Sequence, residues 1–201
     1  MQAEKSPTIR PNNQLTKPPT VLILASGRGE RFLASGGTTH KLAASLGVGV
    51  YKKTVLQHTI ENVKASGLPY HVEDVGHPGM GDCIAAAVRQ TQHANGWLVL
   101  PADLPLVQPE TLLRVAAALQ ANDVVQPVYS DGLTEQRGHP VGFGRVCLAK
   151  LLKLEGNKGA AGVLLAYNAM KLIVNDVGII TDIDTVDDLA RAELLLTNRS
   201  H

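Results

Sequence analysis

The run TVLILASGRGERF, residues 20–32, constrains this chain more than any other stretch. Val21, Leu22, Ile23 and Leu24 are consecutive aliphatics without polar alternation, a pattern that suits a strand buried on both faces of a parallel sheet. A short core helix could have the same composition, but the residues just after the run favour the strand. Gly27 and Gly29 permit unusual backbone angles and close approach to a ligand, and Arg28 and Arg31 supply planar donors suited to phosphate. By itself the stretch reads either as a strand delivering an anion-binding loop or as an ordinary strand-to-loop turn with solvated arginines.

Any anion bound there is bound locally. Nineteen lysines and arginines against 18 acidic residues leave a formal charge of +1, so no global basic field recruits nucleic acid or an acidic membrane. The 201 residues fit one domain with a substantial core. Cys83 and Cys147, with no CxxC spacing, argue against a disulfide scaffold or cysteine-rich metal site and favour a reducing compartment. With no apolar run long enough to cross a bilayer and no signal-peptide core, a cytoplasmic protein is expected. Residues 1–19 are polar and hold four of the 11 prolines, so they read as a disordered tail ahead of a single domain over residues 20–197.

Beyond the first loop, residues 33–53 are glycine-rich, with Lys41 as their first cation, and read as a mobile loop region. Val55, Leu56, Thr59, Ile60 and Val63 then recur at helical intervals and end at Gly67, a natural C-cap. Residues 68–75 form a weak strand candidate. The sequence GHPGMGD, residues 76–82, approaches an alanine-rich helix with Asp82 placed to cap it, so it is either a capped turn or a second phosphate or ribose contact at a helix N-terminus.

The second sharp signal is GWLVLPADLPLV, residues 96–107. Residues 97–100 read as another buried strand, and Pro101 stops it so that Asp103 falls just beyond its carboxyl end, where ligands bind in open α/β sheets and where an acid can hold a metal. Pro109 opens a helix whose inward stripe is expected to be Leu112, Leu113, Ala116 and Leu119. A strand over residues 123–130 precedes RGHPVGFGR, in which His139 is a ligand, an acid–base group or a turn residue. Residues 146–154 read as helical, and Asn157 as the cap of a helix over 158–167, with Lys158 in its first turn either facing an anion or solvated. Residues 172–180 read as a strand pair. Thr185 and Asp188 have capping-box spacing, which accounts for part of the acidic cluster TDIDTVDDL but not for Asp182 and Asp184. If Asp184 approached Asp103, the two carboxylates would make an oxygen-rich site of the kind magnesium prefers when it also bridges phosphates.

Strands alternate with helices throughout, so a three-layer α/β/α domain with a mostly parallel sheet is expected. The ordered blocks LILASGRGERF, HKL, GMGDCIAAAV, LPADLPLVQPETL, RGHPVGF, GNKGAAGVLL and DIDTVDDL, across residues 21–189, resemble the MobA-like NTP transferases, and most of all the molybdenum cofactor cytidylyltransferases. The resemblance implies a Rossmann-like nucleotidyltransferase domain that moves a nucleotidyl group, CMP ahead of GMP, from CTP or GTP to a molybdopterin-type or other phosphorylated acceptor, with Mg2+ and release of pyrophosphate. It also implies contact with a molybdoenzyme or cofactor-biosynthesis protein.

Carried over residue by residue, the resemblance makes Arg28, Lys41 and Asp103 catalytic. It makes Leu24, Ala25, Ser26, Gly27, Gly29, Arg31, Gly79, Gly81 and Cys83 nucleotide-binding, Gly138, His139 and Pro140 acceptor-binding, and Asp103 and Asp184 metal ligands. The chain departs from the family pattern at Ser26, where alanine is usual, at Cys83 for serine and at Asn157 for aspartate. It is also one βα unit short between residues 67 and 79. The alternative these departures favour is a catalytically silent nucleotide- or cofactor-binding protein. A dinucleotide-dependent dehydrogenase fits less well, because the first loop lacks GxGxxG spacing.

Overall fold

The computed structural model describes residues 17–47, 49 and 52–199. Most of the expected N-terminal tail, residues 1–16, lies outside the described residues. The four aliphatics of the opening run form strand β1 (Thr20–Leu24), and Val21, Leu22 and Ile23 are fully buried. β1 is sandwiched between parallel neighbours, β4 (Tyr70–Glu73) on one side and β5 (Gly96–Pro101) on the other. The sheet continues through β8 (Val141–Gly144), antiparallel to both β5 and β6 (Val124–Ser130). β6 is also paired antiparallel with β7 (Glu135–Arg137) and parallel with β9 (Met170–Val174). Five of the seven strands of this sheet, β1, β4, β5, β6 and β9, therefore run the same way.

Alternation along the buried strands divides the core in two. Val21, Ile23, Leu98, Leu100 and Val125 pack against α2 (Val55–Ala65), α4 (Pro109–Ala118) and α7 (Val186–Arg199). Leu22, Leu24, Trp97, Val99 and Phe143 pack on the other face against α3 (Met80–Gln90), α5 (Leu148–Leu151) and α6 (Ala161–Ala166). This is the three-layer arrangement that continuous apolar strands require, since each strand must bury both of its faces. Between α2 and α3 the chain forms β4 alone, paired directly to β1, as the shortened segment predicts. The glycine-rich stretch after β1 holds a short helix α1 (Glu30–Ala34), a 3-10 turn (Lys41–Ala43) and a small hairpin of β2 (Ser45–Leu46) and β3 (Lys53–Thr54).

Several local expectations are corrected. The N-cap of α3 is Gly79, and Asp82 instead accepts the Gly156 N–H at 2.9 Å, pinning the 156–159 turn to the helix. Gly156 and Gly159 both have positive φ, so the chain turns twice before α6 starts at Ala161, and neither Asn157 nor Lys158 belongs to a helix. The helical stretch expected over 146–154 is a 3-10 turn (Arg145–Cys147) followed by only one turn of α-helix. On α4, Leu113 faces outward at 46% exposure and Val115 is buried in its place, because one residue past Leu112 is about 100° around the helix.

The expected second strand in residues 172–180 is a 3-10 turn, Val177–Ile180. Asp176 explains the change. Its Oδ2 accepts the Gln108 N–H at 2.9 Å and the Thr111 hydroxyl at 2.8 Å, so it caps α4 from outside, while Oδ1 takes the Gly178 N–H and Arg199. Gly178 then lies so close to the Leu106 carbonyl that an added Cβ would sit 2.0 Å from it. Asp176→Ala is expected to lower stability by about 3 kcal/mol in urea denaturation, because it leaves the start of α4 and the Gly178 N–H without their acceptor and takes from the Arg199 guanidinium its charged partner, leaving it only the Leu106 carbonyl.

Candidate functional site

The carboxyl ends of β1 and β5 open onto one cleft of about 800 Å3. Backbone bonds tie its rim: Ala102 N–H donates to Leu24 O at 3.0 Å, Ala25 N–H to Glu73 O at 2.8 Å, and Ile183 N–H to Asp103 O at 3.0 Å. From α2, the Thr59 hydroxyl bonds the Ala102 carbonyl at 2.8 Å and the Asn62 amide bonds that of Pro105 at 2.8 Å, which fixes the loop carrying Asp103. The other acid is placed by helix initiation. Asp188 accepts the N–H groups of Asp184 and Thr185 while Thr185 Oγ1 accepts the Asp188 N–H, the expected capping box, and this sets Asp184 at the mouth of α7.

Lys41 stands between the two acids. Its Nζ lies 2.5 Å from Asp103 Oδ2 and 2.7 Å from Asp184 Oδ1, and Arg31 reaches Asp184 Oδ2 at 2.6 Å. Burial alone would pull the Lys41 pKa down, but Asp103 and then Asp184 outweigh it and hold the ammonium above its ordinary 10.5. Three of the four carboxylate oxygens therefore face cations of the chain itself. The fourth, Asp103 Oδ1, is buried with no hydrogen-bond partner. An acceptor stripped of water and left unpaired is costly, and it fits a hard divalent cation completed by substrate oxygens. Asp182 lines the same cleft, its carboxyl pushed up by burial and then by the neighbouring charges of Asp103, Asp184 and Asp188. Among the described residues no group of three or more His, Cys, Asp and Glu has metal-holding geometry; of the acids in the cleft, Asp103 and Asp184 are the two that share Lys41.

The remaining candidates divide. Leu24, Ser26, Gly27, Arg28, Gly29, Arg31, Gly79, Gly138 and His139 line the cleft with Lys41, Asp103 and Asp184. Ala25, Gly81, Cys83 and Pro140 are not on its wall. Gly81 packs against the backbone of Glu155, where an added Cβ would sit 2.6 Å from the carbonyl oxygen, and Cys83 is buried beneath Ser26, whose hydroxyl donates to its sulfur at 3.0 Å. Arg28 is largely exposed, 3.7 Å from Glu30. Burial lowers the pKa of His139, favouring a neutral ring whose Nδ1 faces the Val99 carbonyl at 3.4 Å.

Sequence reasoning missed Arg137 and His77, which also line the cleft. His77 sits in the glycine-rich approach to α3 and is held by buried Glu73, whose oxygens take His77 Nε2 at 3.1 Å and His71 Nε2 at 3.3 Å. Burial raises the Glu73 pKa, but the bonds from His77 and then His71 outweigh it, and the carboxyl lies below its ordinary 4.5. A depressed acid stabilises the fold above its unfolded pKa and loses that contribution as the pH falls through the folded value. The stability gap between wild type and Glu73→Gln should therefore be complete above pH 4.5 and close below it, which urea titrations at several pH values will show.

Fold and cleft together define a class: α/β domains with a ligand crevice outside the carboxyl ends of parallel strands, here with a glycine–arginine loop facing two carboxylates. Residues 61–170, more than half of the 201, match the model of the MobA-like NTP transferase domain, and the chain belongs to that nucleotidyltransferase family. Among curated proteins, bifunctional protein GlmU from Xanthobacter autotrophicus is 31% identical over 171 residues, covering 70% of this chain and 35% of that protein. A molybdenum cofactor guanylyltransferase from a Shewanella species is 29% identical over 133 residues, covering 57% of this chain and 64% of that protein. The chain thus spans less than two thirds of either relative. Among solved structures, Rv0371c from Mycobacterium tuberculosis superposes with a TM-score of 0.69 at 24% identity over 88% of this chain and 98% of its own. A manganese complex of that protein gives 0.65 at 23%. At such identities the likeness shows the fold.

Proposed function

We propose that the protein transfers a nucleotidyl group, CMP in preference to GMP, from an NTP to a molybdopterin-type or other phosphorylated acceptor and releases pyrophosphate. The observation that carries this reading is the Lys41 bridge between Asp103 and Asp184, with Asp103 Oδ1 buried and unpaired, opposite the loop of residues 27–31. An oxygen of the acceptor phosphate attacks the α-phosphorus, the new P–O bond forms, and the bond to the β-phosphate oxygen breaks. Such transfer needs positioning and charge neutralisation more than a protein nucleophile.

A divalent cation, Mg2+ by preference, would be held by Asp103 and Asp184 and would draw negative charge off the α-phosphate and the leaving pyrophosphate. The manganese complex of the Mycobacterium tuberculosis neighbour supports a divalent ion in this fold. Loop residues 24–31, with Arg28 and Arg31, would take the triphosphate. Lys41, once released from the acids, would follow the charge that develops on it. Gly138 and His139 would line the acceptor side. Residues 20–197 would act as one domain, in the cytoplasm; no helix of the described residues is long and apolar enough to cross a membrane.

The direct β4–β1 pairing, where the family pattern has a further βα unit, favours a second reading, a nucleotide-binding protein without turnover. Pyrophosphate release from CTP and from GTP, with a molybdopterin-type acceptor, separates the two: a dinucleotide product excludes the silent protein. NTP binding by calorimetry without turnover for any acceptor excludes the enzyme.

A further inference from the structure

His40 has no part in the site so far, yet it touches both elements of the phosphate side. Its Nε2 lies 2.7 Å from the Gly27 carbonyl oxygen, and its Nδ1 receives the Leu42 N–H at 3.3 Å. A carbonyl oxygen can only accept and an amide N–H can only donate, so these partners put a ring hydrogen on Nε2 and the acceptor lone pair on Nδ1. Through Nδ1 the ring caps the 3-10 turn that begins at Lys41. Through Nε2–H it holds the carbonyl of the glycine loop.

The Gly27–Arg28 peptide is trans, so its carbonyl and the Arg28 N–H point to opposite sides. Turning the carbonyl onto His40 therefore turns that N–H away from the ring, the outward orientation that an anion-binding loop needs. Gly29 rests against the same imidazole: at φ +67, an added Cβ would come 3.1 Å from His40 Cδ2 and 3.2 Å from Nε2. One side chain thus sets the spacing between the loop and the Lys41 turn.

We propose that His40 is a positioning residue for nucleotide binding, holding the Gly27 carbonyl so that the loop presents its amides to the triphosphate in fixed register with Lys41. This rests on reading the cleft as an NTP site. His40 acts through the loop and touches no reacting atom.

Two substitutions separate the halves of the ring. Asparagine places an oxygen where Nδ1 lies, keeping the Leu42 cap without a donor that reaches Gly27. Glutamine carries an amide donor to the Nε2 position, keeping the clamp and losing the cap. In calorimetry with CTP and GTP plus Mg2+, His40→Asn should weaken the better nucleotide by about 10-fold, the scale of one hydrogen bond to a charged group, while His40→Gln stays within about 3-fold. Asparagine binding like wild type, or glutamine losing as much as asparagine, overturns the proposal. If wild type binds neither nucleotide, the NTP reading of the cleft fails, and the clamp is judged by 15N ring shifts of His40 in the free protein at about pH 8. A hydrogen on Nε2 upholds the clamp, and a hydrogen on Nδ1 refutes it.

Discussion

Asp103→Asn is expected to reduce pyrophosphate release by at least about 100-fold, or about 2.7 kcal/mol of transition-state stabilisation, and to abolish Mn2+ binding measured by electron paramagnetic resonance. The reason lies in which oxygen does what. Oδ2 is 2.5 Å from the Lys41 ammonium and Oδ1 is buried and unpartnered. An asparagine that keeps its oxygen on Lys41 turns its NH2 into the position of Oδ1 and presents a donor to an incoming cation. The opposite flip sets NH2 against the ammonium. Either way one of the two contacts turns repulsive, while the volume and the surrounding backbone bonds stay as they are. Equal turnover in the two proteins would overturn the proposed metal role of Asp103.

Lys41→Met should move two measurements in opposite directions. On the role proposed for Lys41, turnover falls by at least about 100-fold, because the variant has no cation at this place to follow the charge on the triphosphate. Mn2+ affinity without nucleotide rises by about 10-fold, because the ammonium no longer competes for Asp103 Oδ2 and Asp184 Oδ1. With the metal absent, both acids, each 17% exposed, lose their shared partner, and stability drops by about 3 kcal/mol. Mn2+ should restore part of that loss, so the melting temperature of the variant gains more from the metal than that of wild type. Weaker Mn2+ binding in the variant would mean that Lys41 builds the acid pair rather than reserving it.

Much of the site was legible because its parts are local. The consecutive aliphatics of residues 21–24 announce a doubly buried strand, and the glycines and arginines next to them offer either an anion loop or a plain turn, which the structure places on the cleft wall. Pro101 and Asp103 mark a strand exit with an acid on it. Thr185 and Asp188 state a capping box three residues apart, and Asp184 is legible as an acid left over once the cap is accounted for. What went astray depended on neighbours distant in the chain. Asp82 looks like a cap until Gly156, 74 residues away, claims its carboxylate. Residues 172–180 look like a strand pair until Asp176 turns inward to cap α4 and leaves only the first strand. Leu113 looks as apolar as Leu112, and only the direction of the sheet shows which of them faces it.

From its sequence alone the protein determines its parallel-sheet class, its main buried strands and amphipathic helices and the two loops that meet at the sheet edge, because hydrophobic period, glycine placement and proline stops act over a few residues; the antiparallel strands β7 and β8 are not marked in it. That Lys41 closes onto two acids 62 and 143 residues away, that Asp103 keeps one oxygen unpaired, and that His40 clamps Gly27 were decided only by the tertiary structure. Coulombic attraction and desolvation depend on distances through space, and the packed sheet, not the spacing in sequence, sets those distances.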